Sequence, residues 1–163
     1  MEDDRNKRGR RNPAEVDRWA ARFAAECRGR GLRVTAQRLA VYRAVAEDLS
    51  HPSAESVYDR VRVQLPMLSP ATVYRILESL EREALVRRVS TTGGVARYDA
   101  NLTPHQHLVC RVCGTMMDHF APALAATPLP EAPVPGFEIE AMDIRLVGRC
   151  DRCRGASAPV PVR

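Results

Sequence analysis

Long apolar runs are missing from this 163-residue chain. Nothing approaches the roughly 20 residues of a membrane-spanning helix or the apolar core of a secretory signal, and Met1 is followed at once by charged residues. A membrane protein is thereby excluded and a cytoplasmic one expected, where thiols stay reduced and favour metal over disulfide. Aromatic residues are scarce as well, at 5% of the chain, which counts against a single-strand nucleic-acid binder built on stacked bases. No nucleophile–base pairing is evident, so an enzyme is not expected. What is present is an ordinary mixture for a folded chain, 28% charged and 45% hydrophobic. The net charge of +5 and pI near 9.3 suit an acidic partner without specifying one.

Cysteine supplies the strongest pattern. Cys110/Cys113 and Cys150/Cys153 form two Cys-x-x-Cys pairs, each projecting two sulfurs from one tight turn. Two such turns brought face to face make a closed tetrahedral Zn(II) site with Zn–S bonds of about 2.3 Å. A pair of disulfides or a thioredoxin-like redox motif are the alternatives. Against them, Gly114 follows the first pair as a turn residue, and no βαβ pattern surrounds either pair. His105 and His107 alternate on a segment that reads as extended, so both point to one side and suit a shared second metal. Cys27 lies on an apolar helical stripe and reads as a buried small hydrophobe.

The first hundred residues read as helices. Residues 1–12 carry charge without an apolar period and are expected to be a flexible tail, with Lys7, Arg8, Arg10 and Arg11 available to phosphates. Asn12-Pro13-Ala14-Glu15 supplies an N-cap, a proline at the first helical position and an acid in the first turn. Val16, Trp19, Ala20, Phe23 and Cys27 follow at helical spacing, and Gly29 and Gly31 end the run. Thr35 caps a second helix with Leu39, Tyr42, Val45 and Ala46 inward, Ser53 a third, and Ser69-Pro70 a fourth. The fourth has an apolar stripe of Val73, Ile76, Leu77 and Leu80, opposite Ala71, Tyr74, Arg75 and Glu78. Two short alternating runs, 85–89 and 95–98, flank Thr91-Thr92-Gly93-Gly94 as a hairpin would. Helices followed by a two-stranded ribbon describe a winged helix-turn-helix, whose last helix enters the major groove. Arginine there can bind guanine in bidentate fashion.

After Asn101 the chain shifts to short β-like runs, 107–110 and 137–147, around a proline-rich loop at Pro128, Pro130, Pro133 and Pro135. This half is too short for a large core, and a structural metal is the usual remedy below about 70 residues.

The motifs Val34-Thr35-Ala36-Gln37-Arg38, His51-Pro52, Ala71-Thr72-Val73-Tyr74-Arg75, Tyr98-Asp99, His105-Gln106-His107, Cys110 to Gly114, Asp118 and Cys150-Asp151-Arg152-Cys153 occur in an order that resembles the ferric-uptake-regulator (Fur) family, over about residues 13–155. The resemblance implies an α+β protein: a winged helix-turn-helix domain over 13–99, a small α/β dimerisation domain with a four-cysteine zinc site over 100–155, and a second flexible tail over 156–163. It implies a homodimeric, metal-dependent repressor of a double-stranded DNA operator, most simply an inverted repeat, with no membrane partner. Arg38, Ala71, Thr72, Tyr74 and Arg75 match its DNA-contacting motifs.

His51, Asp99, His105, His107 and Asp118 fall at the regulatory positions of the peroxide-sensing branch, so the resemblance implies Fe(II) or Mn(II) there and a response to hydrogen peroxide. Imidazoles and carboxylates suit those ions, whereas a zinc sensor would be expected to include a thiolate. Asp118 is similar to the peroxide sensors, where iron sensors typically carry glutamate. Pro104 and Gln106 occupy positions that build an additional metal site in many iron sensors, and that site is expected to be absent. Tyr74-Arg75 is instead similar to the iron-sensing branch, which makes an iron- or manganese-status repressor the alternative. His119 is expected to face away from its neighbour Asp118.

Overall fold

The computed structural model describes residues 9–90, 95–130, 134–140 and 142–154. The chain divides into two compact units, Met1–Leu102 and Thr103–Arg163.

Each helix of the first unit begins where a short polar side chain satisfies an orphan amide. Helix α1 (Pro13–Gly29) starts at Asn12, whose side chain accepts from the Ala14 N–H. Thr35 accepts from Arg38 at the head of α2 (Ala36–Glu47), Ser53 from Ser56 before α3 (Ala54–Gln64), and Ser69 from Thr72 before α4 (Pro70–Arg82). Such caps contribute about 1 kcal/mol each. The four apolar stripes then close on one core. Phe23 stacks on Tyr42 with ring centroids 4.1 Å apart, and burial pushes the Tyr42 phenol up to about 12. Helix α2 buries Val41, Tyr42, Ala44, Val45 and Ala46, more than one face, because α1, α3 and α4 all pack on it.

A hairpin follows. Strand β1 (Arg87–Ser90) pairs antiparallel with β2 (Ala96–Asp99), from Arg87 opposite Asp99 to Ser90 opposite Ala96. Tyr98 turns from β2 into the helical core and anchors the ribbon there. The expected Gly-Gly turn at 91–94 lies outside the described residues.

The expected tail over residues 1–12 is corrected at its end. Gly9 to Arg11 docks on the end of α2: Arg10 bridges to Asp48, the Arg11 N–H donates to the Glu47 carbonyl at 2.7 Å, and Leu49 N–H donates to Gly9. The Arg11 guanidinium bonds Glu15 and the Ala46 carbonyl and lies 3.8 Å over the Trp19 ring. Arg11 is thus committed to the protein rather than offered to phosphate. Residues 1–8 and 155–163, which include most of both expected tails, lie outside the described residues.

The second unit is a three-stranded sheet in the order β4-β3-β5. Central β3 (Gln106–Cys110) runs antiparallel to β4 (Met116–His119) and parallel to β5 (Arg145–Gly148). A short helix α5 (Pro122–Ala125) follows β4. Two expectations change here. Of the run 137–147, only its end is strand: the His107 N–H of β3 donates to the Ile144 carbonyl, and the described residues before Ile144 pair with no strand. Met116–His119 is strand although its sequence does not alternate, because β3 offers it a ladder.

Candidate metal centres and nucleic-acid interface

Parallel pairing of β3 with β5 explains how two distant Cys-x-x-Cys turns meet. Cys110 ends β3 opposite Gly148 at the end of β5, and the Arg111 N–H donates to the Gly148 carbonyl at 2.9 Å. Both strands therefore turn at the same end of the sheet. The first turn closes through Gly114 N–H to the Cys110 carbonyl, with Gly114 at φ 67°, a conformation glycine adopts without strain. The second is a 3₁₀ turn, Asp151–Cys153, closed by Cys153 N–H to Cys150.

The four sulfurs lie within 4.8 Å of one another, and Cys113 and Cys150 sulfurs are 3.7 Å apart. All the cysteines are free thiols. A tetrahedron of Zn–S bonds has an edge of about 3.8 Å, whereas a disulfide needs about 2.05 Å. The surroundings favour negative charge. The Cys110 thiol is brought down to about 6, first by the backbone N–H of Cys150 and then by that of Cys113. Cys113 is lowered chiefly by the Thr115 hydroxyl. Cys153 is pushed up to about 12, above all by its contact with Cys150. Four sulfurs this close cannot all ionise without a cation among them, and a dication resolves that conflict.

The second candidate set is divided between the units. In the first unit, His51 follows α2 and Asp99 ends β2, with His51 Nδ1 and Asp99 Oδ1 4.0 Å apart. Asp99 also accepts from the Asn101 N–H at 2.7 Å. In the second unit, β3 places His107 opposite Asp118 of β4, and His105 stands just before β3. His105 Nε2 lies 3.0 Å from His107 Nε2 and 3.4 Å from Asp118 Oδ1. His105 Nδ1 is 2.7 Å from the Thr103 carbonyl, which can only accept. That contact assigns the neutral ring's proton to Nδ1 and leaves the Nε2 lone pair facing His107 and Asp118. Orientation of a ligating imidazole by a carbonyl behind it is the usual companion of a metal site. Imidazole nitrogens and a carboxylate oxygen on one point fit a divalent cation of the Fe(II) or Mn(II) kind. His119, opposite Gln106 in the ladder, projects from the other face of β4.

The candidate DNA-reading helix is α4. Val73, Ile76, Leu77 and Leu80 are buried, while Ala71, Tyr74, Arg75 and Glu78 are exposed. The remaining candidates have internal work. The Thr72 hydroxyl contacts the Ser69 cap at 2.9 Å and accepts from Arg75 at 3.3 Å. Arg38 reaches from α2 to donate to Ser79 Oγ at 2.7 Å and to the Arg33 carbonyl at 3.3 Å, which braces α4 against α2. Sequence reasoning passed over Arg97, whose spacing of two from Asp99 places it on the same side of β2 and could have drawn notice.

A model described as the ferric uptake regulator family matches residues 29–147. The chain belongs to the ferric uptake regulator family. It is 43% identical over 125 residues to Ferric uptake regulation protein 1 of Mycolicibacterium fortuitum, covering 75% of this chain and 76% of that protein. Its identity to the Peroxide operon regulator of Bacillus subtilis is 29% over 123 residues, covering 76% and 85%. The ferric uptake regulator of Pseudomonas aeruginosa solved with manganese superposes with a TM-score of 0.61 at 29% identity, over 78% of this chain and 96% of that one. As a family member the protein is a metal-responsive transcriptional regulator and not an enzyme. Its α+β architecture, a helical winged unit followed by a small sheet, is that of the family, and its sheet unit carries the four-cysteine cluster. Among the described residues, no helix is long and apolar enough to cross a membrane.

Proposed function

We propose that the protein is a cytoplasmic, homodimeric repressor in which Cys110, Cys113, Cys150 and Cys153 hold a structural Zn(II), while His51, Asp99, His105, His107 and Asp118 together hold one regulatory Fe(II) or Mn(II). The convergence of His105 Nε2, His107 Nε2 and Asp118 Oδ1 carries this reading. Three donors from one unit leave coordination positions that an octahedral-type ion fills with further nitrogen and oxygen ligands. His51 and Asp99 are a pair of that chemistry in the DNA-binding half. A metal shared by the two sets selects one arrangement of the halves, and a two-fold operator selects the same one, so each ligand strengthens binding of the other. On that operator, expected to be an inverted repeat with half-sites about one helical turn apart, Tyr74 and Arg75 meet base edges in the major groove. Arg38 and Thr72 act by holding α4 in place, and Ala71 gives the backbone close access.

We further propose that the regulatory site senses hydrogen peroxide. Asp118 and an all-imidazole and carboxylate donor set favour this reading, as does the similarity to a peroxide operon regulator. Fe(II), when bound, would lend one electron to cleave the peroxide O–O bond and recover it from the ring, so that both electrons peroxide takes come from the imidazole. The side chain that changes is a ligating imidazole, His51 or His105. One peroxide oxygen ends on the ring carbon between the two nitrogens, the other leaves as water, and the oxidised ring ligates poorly. An iron- or manganese-status repressor is the second reading, favoured by Tyr74-Arg75 and by the 43% identity to a ferric uptake regulation protein.

Mass spectrometry after stoichiometric peroxide separates the two readings. The iron-loaded protein should gain about one oxygen mass on the peptide of His51 or His105 and lose operator binding, while the manganese form keeps both. Intact histidines and undiminished operator affinity in the iron form would replace peroxide sensing by metal-status sensing.

A further inference from the structure

We infer that Arg97 is the positioning residue for His51, and through it sets the affinity of the regulatory site. The inference rests on His51 being a regulatory ligand, as proposed above.

His51 has φ 58°, in the left-handed region that residues with a side chain rarely adopt. Such a conformation persists only where the surroundings over-determine it. Here they do so from two sides. On one side, Asp48 Oδ1 accepts from the Ser50 N–H at 2.8 Å and from the Ser50 hydroxyl at 2.6 Å, while the Arg60 guanidinium pairs with the other carboxylate oxygen. On the other side stands β2. Arg97 Nη1 donates to the His51 carbonyl at 2.9 Å and approaches the Ser50 carbonyl at 3.4 Å. The Tyr98 N–H donates to the Pro52 carbonyl at 3.1 Å, and Ser53 bridges to Arg97.

Of these main-chain contacts, the one from Arg97 falls on the His51 carbonyl itself. A guanidinium has no lone pair and cannot ligate a cation, so Arg97 is not a further ligand. Its donors act on the backbone of one. Because side chains alternate along a strand, Arg97 and Asp99 leave β2 on the same side while Tyr98 enters the core. One rigid strand therefore carries the Asp99 carboxylate and the clamp that aims His51 beside it. Supporting groups of this kind typically change metal affinity by about 10–100-fold when removed.

The test compares Mn(II) binding by wild type, Arg97→Met, Arg97→Gln and His51→Ala, all in the zinc-loaded full-length protein. Free Mn(II) is read from its electron paramagnetic resonance signal, and zinc content and thermal melting are read on the same samples. Arg97→Met keeps the length of the side chain without donors and should weaken Mn(II) binding by about 10–100-fold, with unchanged zinc content. Arg97→Gln keeps one amide donor and should fall between Arg97→Met and wild type. A purely structural role would lower the melting temperature while leaving the affinity of the folded protein at the wild-type value. Wild-type affinity in Arg97→Met, or in Arg97→Gln should the methionine variant not fold, overturns the inference when His51→Ala has lost Mn(II). Wild-type affinity in His51→Ala overturns the ligand assignment itself, and the inference with it.

Discussion

Replacing Cys110 by serine should remove the zinc and unfold the second unit. The residue sits where the sheet and both metal turns meet: it ends β3, its carbonyl closes the first turn through Gly114, and its sulfur accepts from the Cys150 N–H. Apart from cysteines, the buried apolar side chains of this unit among the described residues are Val109 and Met116. Two such side chains contribute about 1.5–3 kcal/mol each. A structural zinc coupled to folding contributes on the order of 10 kcal/mol. The metal thus outweighs the apolar core, and serine, a poor ligand, loses most of what it contributes. Zinc content by plasma mass spectrometry, with circular dichroism melting and sedimentation, measures the outcome. The variant should be zinc-poor and lose the sheet and the dimer, while the helical unit, with its own core, still melts cooperatively. A zinc-free Cys110→Ser dimer as stable as wild type would refute the reasoning.

Other consequences are as specific. The Cys110 thiol is lowered from 9.0 to about 6 in the folded protein, so its contribution to stability is complete above the ordinary value and is lost as pH falls through about 6. The affinity of the zinc-free site for Zn(II) should therefore weaken as pH falls below about 6, and an affinity independent of pH between 8 and 5, roughly, would contradict this. Tyr74→Ala and Arg75→Ala should each weaken specific operator binding by about 1–3 kcal/mol with unchanged melting, since both are exposed on α4; unaltered gel shifts for both would move the reading surface elsewhere. Arg38→Ala should lower both stability and operator affinity, because its loss frees α4 from α2; an effect on affinity alone would make it a direct DNA contact. Leu77→Ala, at a fully buried core position, should cost the first unit about 2–5 kcal/mol in denaturant melts.

The helical half is legible in the sequence because its signals are local. Asn12, Thr35, Ser53 and Ser69 each announce a helix start, and the stripe of α4 repeats at 3.6 residues with nothing to compete. The four-cysteine cluster is legible from spacing, since a Cys-x-x-Cys turn prepares half of a tetrahedral site by itself. What escapes depends on partners far along the chain. Met116–His119 is a strand because β3 pairs with it, whereas the run 137–143 alternates in sequence and its described residues join no ladder. Arg11 has the look of a free cation until Trp19, Glu15 and the end of α2 claim it. Arg97 escapes because its partners are main-chain carbonyls, which leave no trace in residue identity.

Manganese-dependent DNA binding of wild type, His51→Ala and His107→Ala bears most directly on the idea that both halves hold one regulatory ion. Operator affinity should rise steeply with Mn(II) in wild type, and each variant, altered on a different unit, should lose that rise while keeping zinc and the metal-free baseline. A full Mn(II) response in either variant would contradict a site shared between the DNA-binding and the sheet halves of the chain.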